Sequence, residues 1–441
     1  IKKSSQSSLQ TIICWFSKHP GTRIQHTVNC PLALSILANL SGNLELLLKK
    51  GLYNSFKQME AHMSFKSNDG PPSHRQLTPI RVVRGLLCLL VLLLTAFMML
   101  VCCSPFTAIV IRFFSIHYSR KATSFCFGAW LALWPFLFEK INKTKVIFSG
   151  EPVPPRERVL LIANHRTEVD WMYLWDLALR KGSLGYIKYV LKSSLMKLPV
   201  FGWSFHILDF ISVERKWEID ASKMRQMLST FTDPRDPMWL AVFPEGTDYT
   251  EQKCMRSQKY AAEKGLPVLK NVLLPKTKGF HACLDTLRSS LDAVYDVTIG
   301  YRHRCPTLMD NVYGVDPSEV HIHIRCIPLN KIPISEDETA AWLMNTFELK
   351  DHLLSDFKAK GHFPCQGTEG DLPTAKCLVN VIVVISLTSL GVFLLFTSVW
   401  FRAYVTLACA CLSTVTYFNI RPSPVTGIVE EMFSRSNQSC E

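Results

Sequence analysis

The chain has 441 residues, 48% of them hydrophobic, with 49 Lys and Arg against 36 Asp and Glu and a net charge of +13. That length suits two or three folding units of about 150 residues each, the apolar content excludes disorder over most of the chain, and 15 cysteines without a C-x-x-C pair do not make a small disulfide scaffold. A basic surplus on an apolar chain suits an anionic membrane surface or a phosphate-bearing ligand, and nucleic acid is not among the expected partners.

Residues 1–62 read as polar text with one apolar stretch at 32–48, without the layout of a signal peptide. They are expected to be a leader or an unstructured extension that is dispensable. Residues 63–139 should hold the first membrane helices. Positions 85–111 carry no charge, long enough to cross about 30 Å of hydrocarbon, and Arg75, Arg81 and Arg84 just before them predict a cytosolic flank. A second uncharged run, 122–138, contains Pro135 and reads either as a full span or as a helix lying in the interface. A hairpin of either kind returns the chain to the cytosolic side. The glycosylation sequon Asn142-Lys143-Thr144 is then expected to stay unmodified.

Between 140 and 350, short apolar runs at 159–163, 239–243 and 293–299 alternate with amphipathic helical stretches. That alternation predicts an α/β domain built on a sheet. Residues 351–376 read as a polar linker, 377–420 as a C-terminal membrane hairpin broken by Arg402, and 421–441 as a tail.

The chemistry concentrates after the first of those runs, in Asn164-His165-Arg166-Thr167-Glu168-Val169-Asp170-Trp171. Five residues turn a regular helix by about 500°, leaving His165 and Asp170 about 140° apart, so one helix cannot bring them together. His165 must sit in the turn after a strand, with Asp170 reaching back from the next helix. Asp170 then accepts the ring N–H, fixes the tautomer, and leaves the second nitrogen as a base for a hydroxyl. The segment Phe243-Pro244-Glu245-Gly246-Thr247 places a carboxylate, a glycine and a hydroxyl in a strand-to-loop turn, where free backbone N–H groups can hold a phosphate. Lys192, then Arg215 in Val-Glu-Arg-Lys, then Pro275 and Lys276 in Leu-Leu-Pro-Lys-Thr-Lys-Gly follow as basic punctuation of apolar segments. Such cations suit a phosphomonoester, although each could equally be a solvated charge.

These four segments, in this order from Asn164 to Gly279, resemble the glycerolipid acyltransferase family. The fuller context looks most like the plant lysophosphatidic acid acyltransferases of the endoplasmic reticulum, over roughly residues 73–417. The resemblance implies a glycerophosphate-acyltransferase α/β domain, a mixed sheet with membrane helices at both ends. It implies transfer of a fatty acyl chain from acyl-CoA to the sn-2 hydroxyl of lysophosphatidic acid, forming phosphatidic acid at a phospholipid membrane. His165 is then the base and Asp170 its orienting partner. Asn164, Glu245, Gly246 and Thr247 help to bind the acceptor, Lys192 and Arg215 contact its phosphate, and Pro275 and Lys276 lie in the fourth segment. Many members carry Arg directly after Glu-Gly-Thr; here Asp248 follows, so the phosphate falls to Arg215, Lys192 and Lys276. Lysocardiolipin acyltransferases also look like Glu-Gly-Thr-Asp, which keeps another lysophospholipid, lysocardiolipin or lysophosphatidylinositol, as the alternative acceptor.

Two readings of another class remain. His321 and His323 alternate on a predicted strand and share a face, as in a metal-dependent hydrolase, but no third ligand stands at metal spacing, so no metal is expected. A lipid-binding protein without catalysis would not need the His165–Asp170 pair. No Gly-rich nucleotide loop occurs, so acyl-CoA is expected as a substrate and no cofactor is.

Overall fold

The computed structural model describes residues 75–421 apart from Pro199; the leader and nearly all of the tail lie outside the described residues. Among the described residues, seven strands form one sheet in the order β1-β7-β6-β2-β5-β3-β4. They are β1 Lys145–Gly150, β2 Val159–Ala163, β3 Ile187–Lys192, β4 Ile211–Val213, β5 Trp239–Val242, β6 Ala293–Tyr301 and β7 Glu319–Pro328. Every pair is parallel except β6 with β7. Strands β2 and β5 are buried at every position, which explains why they read as unbroken apolar runs rather than alternating ones.

Helices cover both faces of the sheet. On one face α4 Trp217–Ser229, α6 Thr277–Leu287 and α8 Glu336–Lys360 close the main core around Leu160, Leu240, Val294, Leu284 and Phe347. On the other, α3 Asp170–Arg180 packs Tyr173 and Trp175 against Phe138 and Trp134 of the apolar N-terminal segment. Helix α5 Glu251–Lys264 follows β5, and α7 Leu308–Tyr313 joins β6 to β7. The polar stretch read as a linker from 351 is helical through Lys360: Asp351, Leu354 and Phe357 are buried at helical spacing on the core side of α8. Its sparse apolar positions hid the period. The connector proper is 361–373.

Among the described residues, four apolar helical segments are long enough to cross a membrane: Pro79–Phe114, Ile116–Ile141, Thr374–Thr397 and Val399–Tyr417. The first begins as α1 Pro79–Ser104 and the second as α2 Ile116–Leu131. Together they form a hairpin held to the α/β domain at both ends. At the open end, Arg81 donates to the Gly314 carbonyl at 2.8 Å and Arg84 to the Asn142 side-chain oxygen at 2.8 Å. At the tip, Arg120 reaches the Thr230 carbonyl at 2.6 Å, Asp209 at 3.1 Å and Asp236 at 3.2 Å. Arg81 and Arg112 lie about 45 Å apart along this helix, and both bond to the same domain. The hairpin therefore runs along the flank of the domain. Close approach is needed there: a Cβ on Gly185 would come within 2.0 Å of the Ser124 carbonyl oxygen in α2.

The packing also involves the sequon residue. Asn142 is buried, and its side-chain nitrogen donates to the Asn311 carbonyl at 2.8 Å. In the folded protein this side chain is closed to solvent.

Candidate active site

The parallel strands point their C-terminal ends to one edge, and the predicted site residues fall along it. Strand β2 ends at Ala163. Asn164 then replaces the lost ladder with its own amide, donating to the Ile299 carbonyl at 3.0 Å and accepting from the Ile299 N–H at 2.8 Å. This clamp holds the turn that carries His165.

Asp170 opens α3, where a carboxylate also meets the positive end of the helix. One oxygen accepts from His165 Nδ1 at 2.9 Å and from the Thr167 N–H at 2.8 Å. The other accepts from the Tyr301 hydroxyl at 2.6 Å, at the end of β6. With Nδ1 carrying the hydrogen, Nε2 is left as the acceptor. The His165 ring lies over Phe243, centroids 4.6 Å apart, and its side chain keeps one-fifth exposure while Asp170 keeps none. Burial opposes a charged ring, but the hydrogen bond and charge of Asp170, with Glu245 and Asp248 adding, hold the His165 pKa above its ordinary 6.5.

Glu245 ties three loops together. Its carboxylate accepts from the His165 N–H at 2.8 Å and from the Leu273 N–H at 2.9 Å. Burial pushes its pKa up to about 7 against the pull of these two N–H groups. Gly246 has φ +70°, a left-handed conformation that favours glycine. A Cβ there would lie 3.3 Å from the Lys276 ammonium, so that cation lies over the turn. The Lys276 N–H donates to the Pro244 carbonyl at 2.8 Å, joining the segment of Pro275 to that of Glu245.

Asn164, His165, Asp170, Glu245, Gly246, Pro275 and Lys276 thus converge. Thr247 does as well, but its hydroxyl is held by Asp248 at 3.0 Å and by Lys253 at 2.9 Å. Lys192 and Arg215 sit apart from them. Lys192 ends β3, and Arg215 lies two residues past the end of β4, so they are about 10 and 14 Å along the edge from β2 at the usual strand spacing. Both are exposed and without a hydrogen-bond or ion-pair partner among the described residues. His321 and His323 lie at the start of β7, opposite Gly300 and Thr298 of β6, two strands from β2, and are bonded to Glu319 at 2.8 Å and to Ser149 at 3.1 Å respectively.

Three contributors escaped the sequence reading. Tyr301 completes the shell of Asp170, and a hydroxyl ending a buried apolar run was its only signal. Lys253, three residues into α5, neutralises Asp248 at 2.8 Å. Arg166 donates to the Asn271 carbonyl at 2.8 Å and lies 4.2 Å from the Tyr249 ring centroid, bracing the loop beside His165.

Apart from Tyr301, the residues of this site lie within a recognised family signature. The acyltransferase family model matches residues 145–299, and the acyltransferase C-terminus model matches 310–384. The chain is 64% identical over 356 residues to the probable 1-acyl-sn-glycerol-3-phosphate acyltransferase 5 of Arabidopsis thaliana, covering 80% of this chain and 95% of that one. It is 36% identical over 280 residues to lysocardiolipin acyltransferase 1 of Mus musculus, covering 62% and 74%. It is 39% identical over 237 residues to 1-acyl-sn-glycerol-3-phosphate acyltransferase 2 of Brassica oleracea, covering 54% and 61%. Among solved structures, the 1-acyl-sn-glycerophosphate (LPA) acyltransferase of Thermotoga maritima aligns with TM-score 0.38 and 18% identity, over 64% of this chain and 100% of that one. With a paired His165 and Asp170 at the head of a matched domain and a relative alike over nearly its full length, the chain belongs to the acyltransferase family.

Proposed function

We propose that this membrane-associated acyltransferase moves a fatty acyl chain from acyl-CoA to the sn-2 hydroxyl of 1-acyl-glycerol-3-phosphate, forming phosphatidic acid. The observation that carries the reading is the His165–Asp170 pair, with Nδ1 bound at 2.9 Å, which in the neutral ring leaves Nε2 as the acceptor. Nε2 takes the proton of the acceptor hydroxyl as its oxygen attacks the thioester carbonyl. The C–S bond then breaks, and the departing CoA thiolate takes that proton back from the ring. Asp170 stabilises the charged ring in between, with Thr167 and Tyr301 fixing its orientation. Lys276, beside the Glu-Gly-Thr turn, is the nearest cation for the acceptor phosphate, and Lys192 and Arg215 are unpaired cations farther along the same edge.

No cofactor enters this reaction, and nucleic acid has no part in it. Acyl-CoA is charged and water-soluble, which favours an active site facing the cytosol on the endoplasmic reticulum. The first hairpin supports that placement, because both its ends bond to one domain, as expected for a segment embedded from a single side. The resemblance to lysocardiolipin acyltransferase 1 and the shared Glu-Gly-Thr-Asp sequence favour lysocardiolipin as the second reading for the acceptor.

The test is microsomal expression with a panel of lysophospholipid acceptors and acyl-CoA donors. Phosphatidic acid should form fastest, from lysophosphatidic acid. Preference for lysocardiolipin would transfer the assignment to the second reading, and no acyl transfer to any acceptor would sink both.

A further inference from the structure

The turn that carries Glu245 and Gly246 ends in a closed ring of side-chain hydrogen bonds that the proton transfer itself does not use. The Thr247 hydroxyl donates to Asp248 Oδ1 at 3.0 Å. Lys253 Nζ donates to both, to Thr247 Oγ1 at 2.9 Å and to Asp248 Oδ1 at 2.8 Å. The third N–H of that ammonium goes to the Asp248 carbonyl at 2.9 Å. All three donors of Lys253 are therefore spent on residues 247 and 248. Two further bonds hold the ring in place. The Thr250 side chain caps α5 by accepting from the Lys253 N–H at 3.3 Å, which fixes the helical turn from which this side chain reaches back. The Tyr249 N–H donates to the His165 carbonyl at 2.7 Å, which ties Asp248 to the turn of the base.

Asp248 acts on the base from there. Burial lowers the His165 pKa, and the carboxylates of Asp170, Glu245 and Asp248 raise it, in that order. The other charged groups around the ring are engaged or set apart. Asp170 is bonded to His165, the Thr167 N–H and Tyr301, and Glu245 to two backbone N–H groups. Arg166 stacks over Tyr249, and Lys276 lies over Gly246. Of the three carboxylates, Asp170 and Glu245 are buried, whereas the Asp248 side chain is 46% exposed. Burial alone would lift the Asp248 pKa, but Lys253 and the Thr247 hydroxyl hold it below its ordinary value, so it is ionised at neutral pH. An incoming phosphate thus meets this carboxylate first, and like charges at a binding surface cost affinity.

We infer that, on the reading of His165 as the base for a phosphate-bearing acceptor, Lys253 is a positioning residue: it folds Asp248 back onto the Glu-Gly-Thr turn and cancels its charge, so that an anionic acceptor can reach Nε2 of His165. Without Lys253 the Asp248 carboxylate stands uncompensated between the acceptor phosphate and the ring. It repels the first and favours protonation of the second. A turn with Asp248 where many family members carry Arg stays compatible with an anionic acceptor because it brings its own cation, five residues on.

The test uses the full chain in detergent micelles and two readouts. One is the pH profile of kcat/KM with lysophosphatidic acid. The other is carbethoxylation of His165 by diethyl pyrocarbonate, which attacks the unprotonated ring, followed against pH by peptide mass spectrometry. Lys253→Met should raise KM for lysophosphatidic acid roughly three- to tenfold and move both midpoints up by about half a pH unit. The exposure of the pair keeps that shift small, because solvent and salt screen it. Lys253→Met combined with Asp248→Asn should bring KM back to within about twofold of the parent and restore the midpoints, because charge and partner leave together. Asp248→Asn alone should move the midpoints down, and it carries the test should Lys253→Met fail to fold. A double variant as impaired as Lys253→Met, or midpoints that stay put in all three variants, would reduce Lys253 to a structural residue and overturn the inference. Carbethoxylation needs no turnover, so the two readings fail separately. A parent without acyl transfer would sink the role of His165, whereas fixed midpoints in an active parent would sink only that of Lys253.

Discussion

The two edges of the sheet use buried charge differently. Around His165 the carboxylates are matched one by one: Asp170 faces His165, Asp248 faces Lys253, and Glu245 is spent on two backbone N–H groups. At the opposite edge one carboxylate serves three guanidiniums and a nearby ammonium. Burial alone would raise the Asp209 pKa, yet these cations hold its carboxyl far below the usual range. Burial brings Lys188 down to about 8 even with Asp209 beside it. Near balance around His165 suits the movement of a single proton at neutral pH, whereas the ion pairs around Asp209 join the first hairpin to the domain.

The largest test of this contrast removes the base. His165→Ala is expected to lower acyl transfer by at least about 10³-fold, with an unchanged circular dichroism spectrum, because no structural contact of its ring matches those of Asp209. Retention of more than half the parent rate would end the mechanism. Asp170→Asn should cost about 10²-fold, since the amide can hold the ring in the wrong tautomer.

At the other edge the same size of change should appear in stability. Asp209→Ala leaves three guanidiniums without their shared partner and should destabilise the fold by about 3–5 kcal/mol, read as a fall in Tm. A loss of activity without loss of Tm would show that this edge also serves catalysis.

The pH profile sharpens the contrast. Nε2 must be unprotonated to act, and Asp170 holds the ring pKa above 6.5. The acid limb of kcat/KM should therefore fall with decreasing pH through a midpoint above 6.5, and in Asp170→Asn that midpoint should move down. An acid limb that stays put would detach it from His165.

The smallest effect is expected from Tyr301→Phe, which deletes one of three hydrogen bonds to Asp170. A cost of about 1 kcal/mol, or several-fold in kcat with little change in KM, is expected. The pH midpoint should rise slightly, because Asp170 becomes a stronger acceptor for the charged ring.

The catalytic edge was legible because its parts are local. Asn164, His165 and Asp170 lie within seven consecutive residues, and Glu245, Gly246 and Thr247 are contiguous. The helical period itself showed that His165 had to precede the helix bearing Asp170, and the buried strands β2 and β5 were visible as unbroken apolar runs. Lys192 and Arg215 were legible as cations, but the strand order that sets them aside from Lys276 was not.

The opposite edge had no comparable signature. Arg112, Arg120, Lys188, Asp209, Asp236 and Arg421 are spread over 310 positions, and each alone reads as a solvated charge or the end of an apolar run. Likewise, Arg81 and Arg84 read as topology signals, while the fold also uses them to hold Gly314 and Asn142. Sequence alone determined the elements whose residues are neighbours on one turn, strand or helix, because backbone geometry places those side chains without help from the rest of the chain. Which distant charges share a carboxylate, and that Asn142 is sealed from solvent, were decided only by packing, because the free energy of burying a charge depends on neighbours that the chain order does not specify.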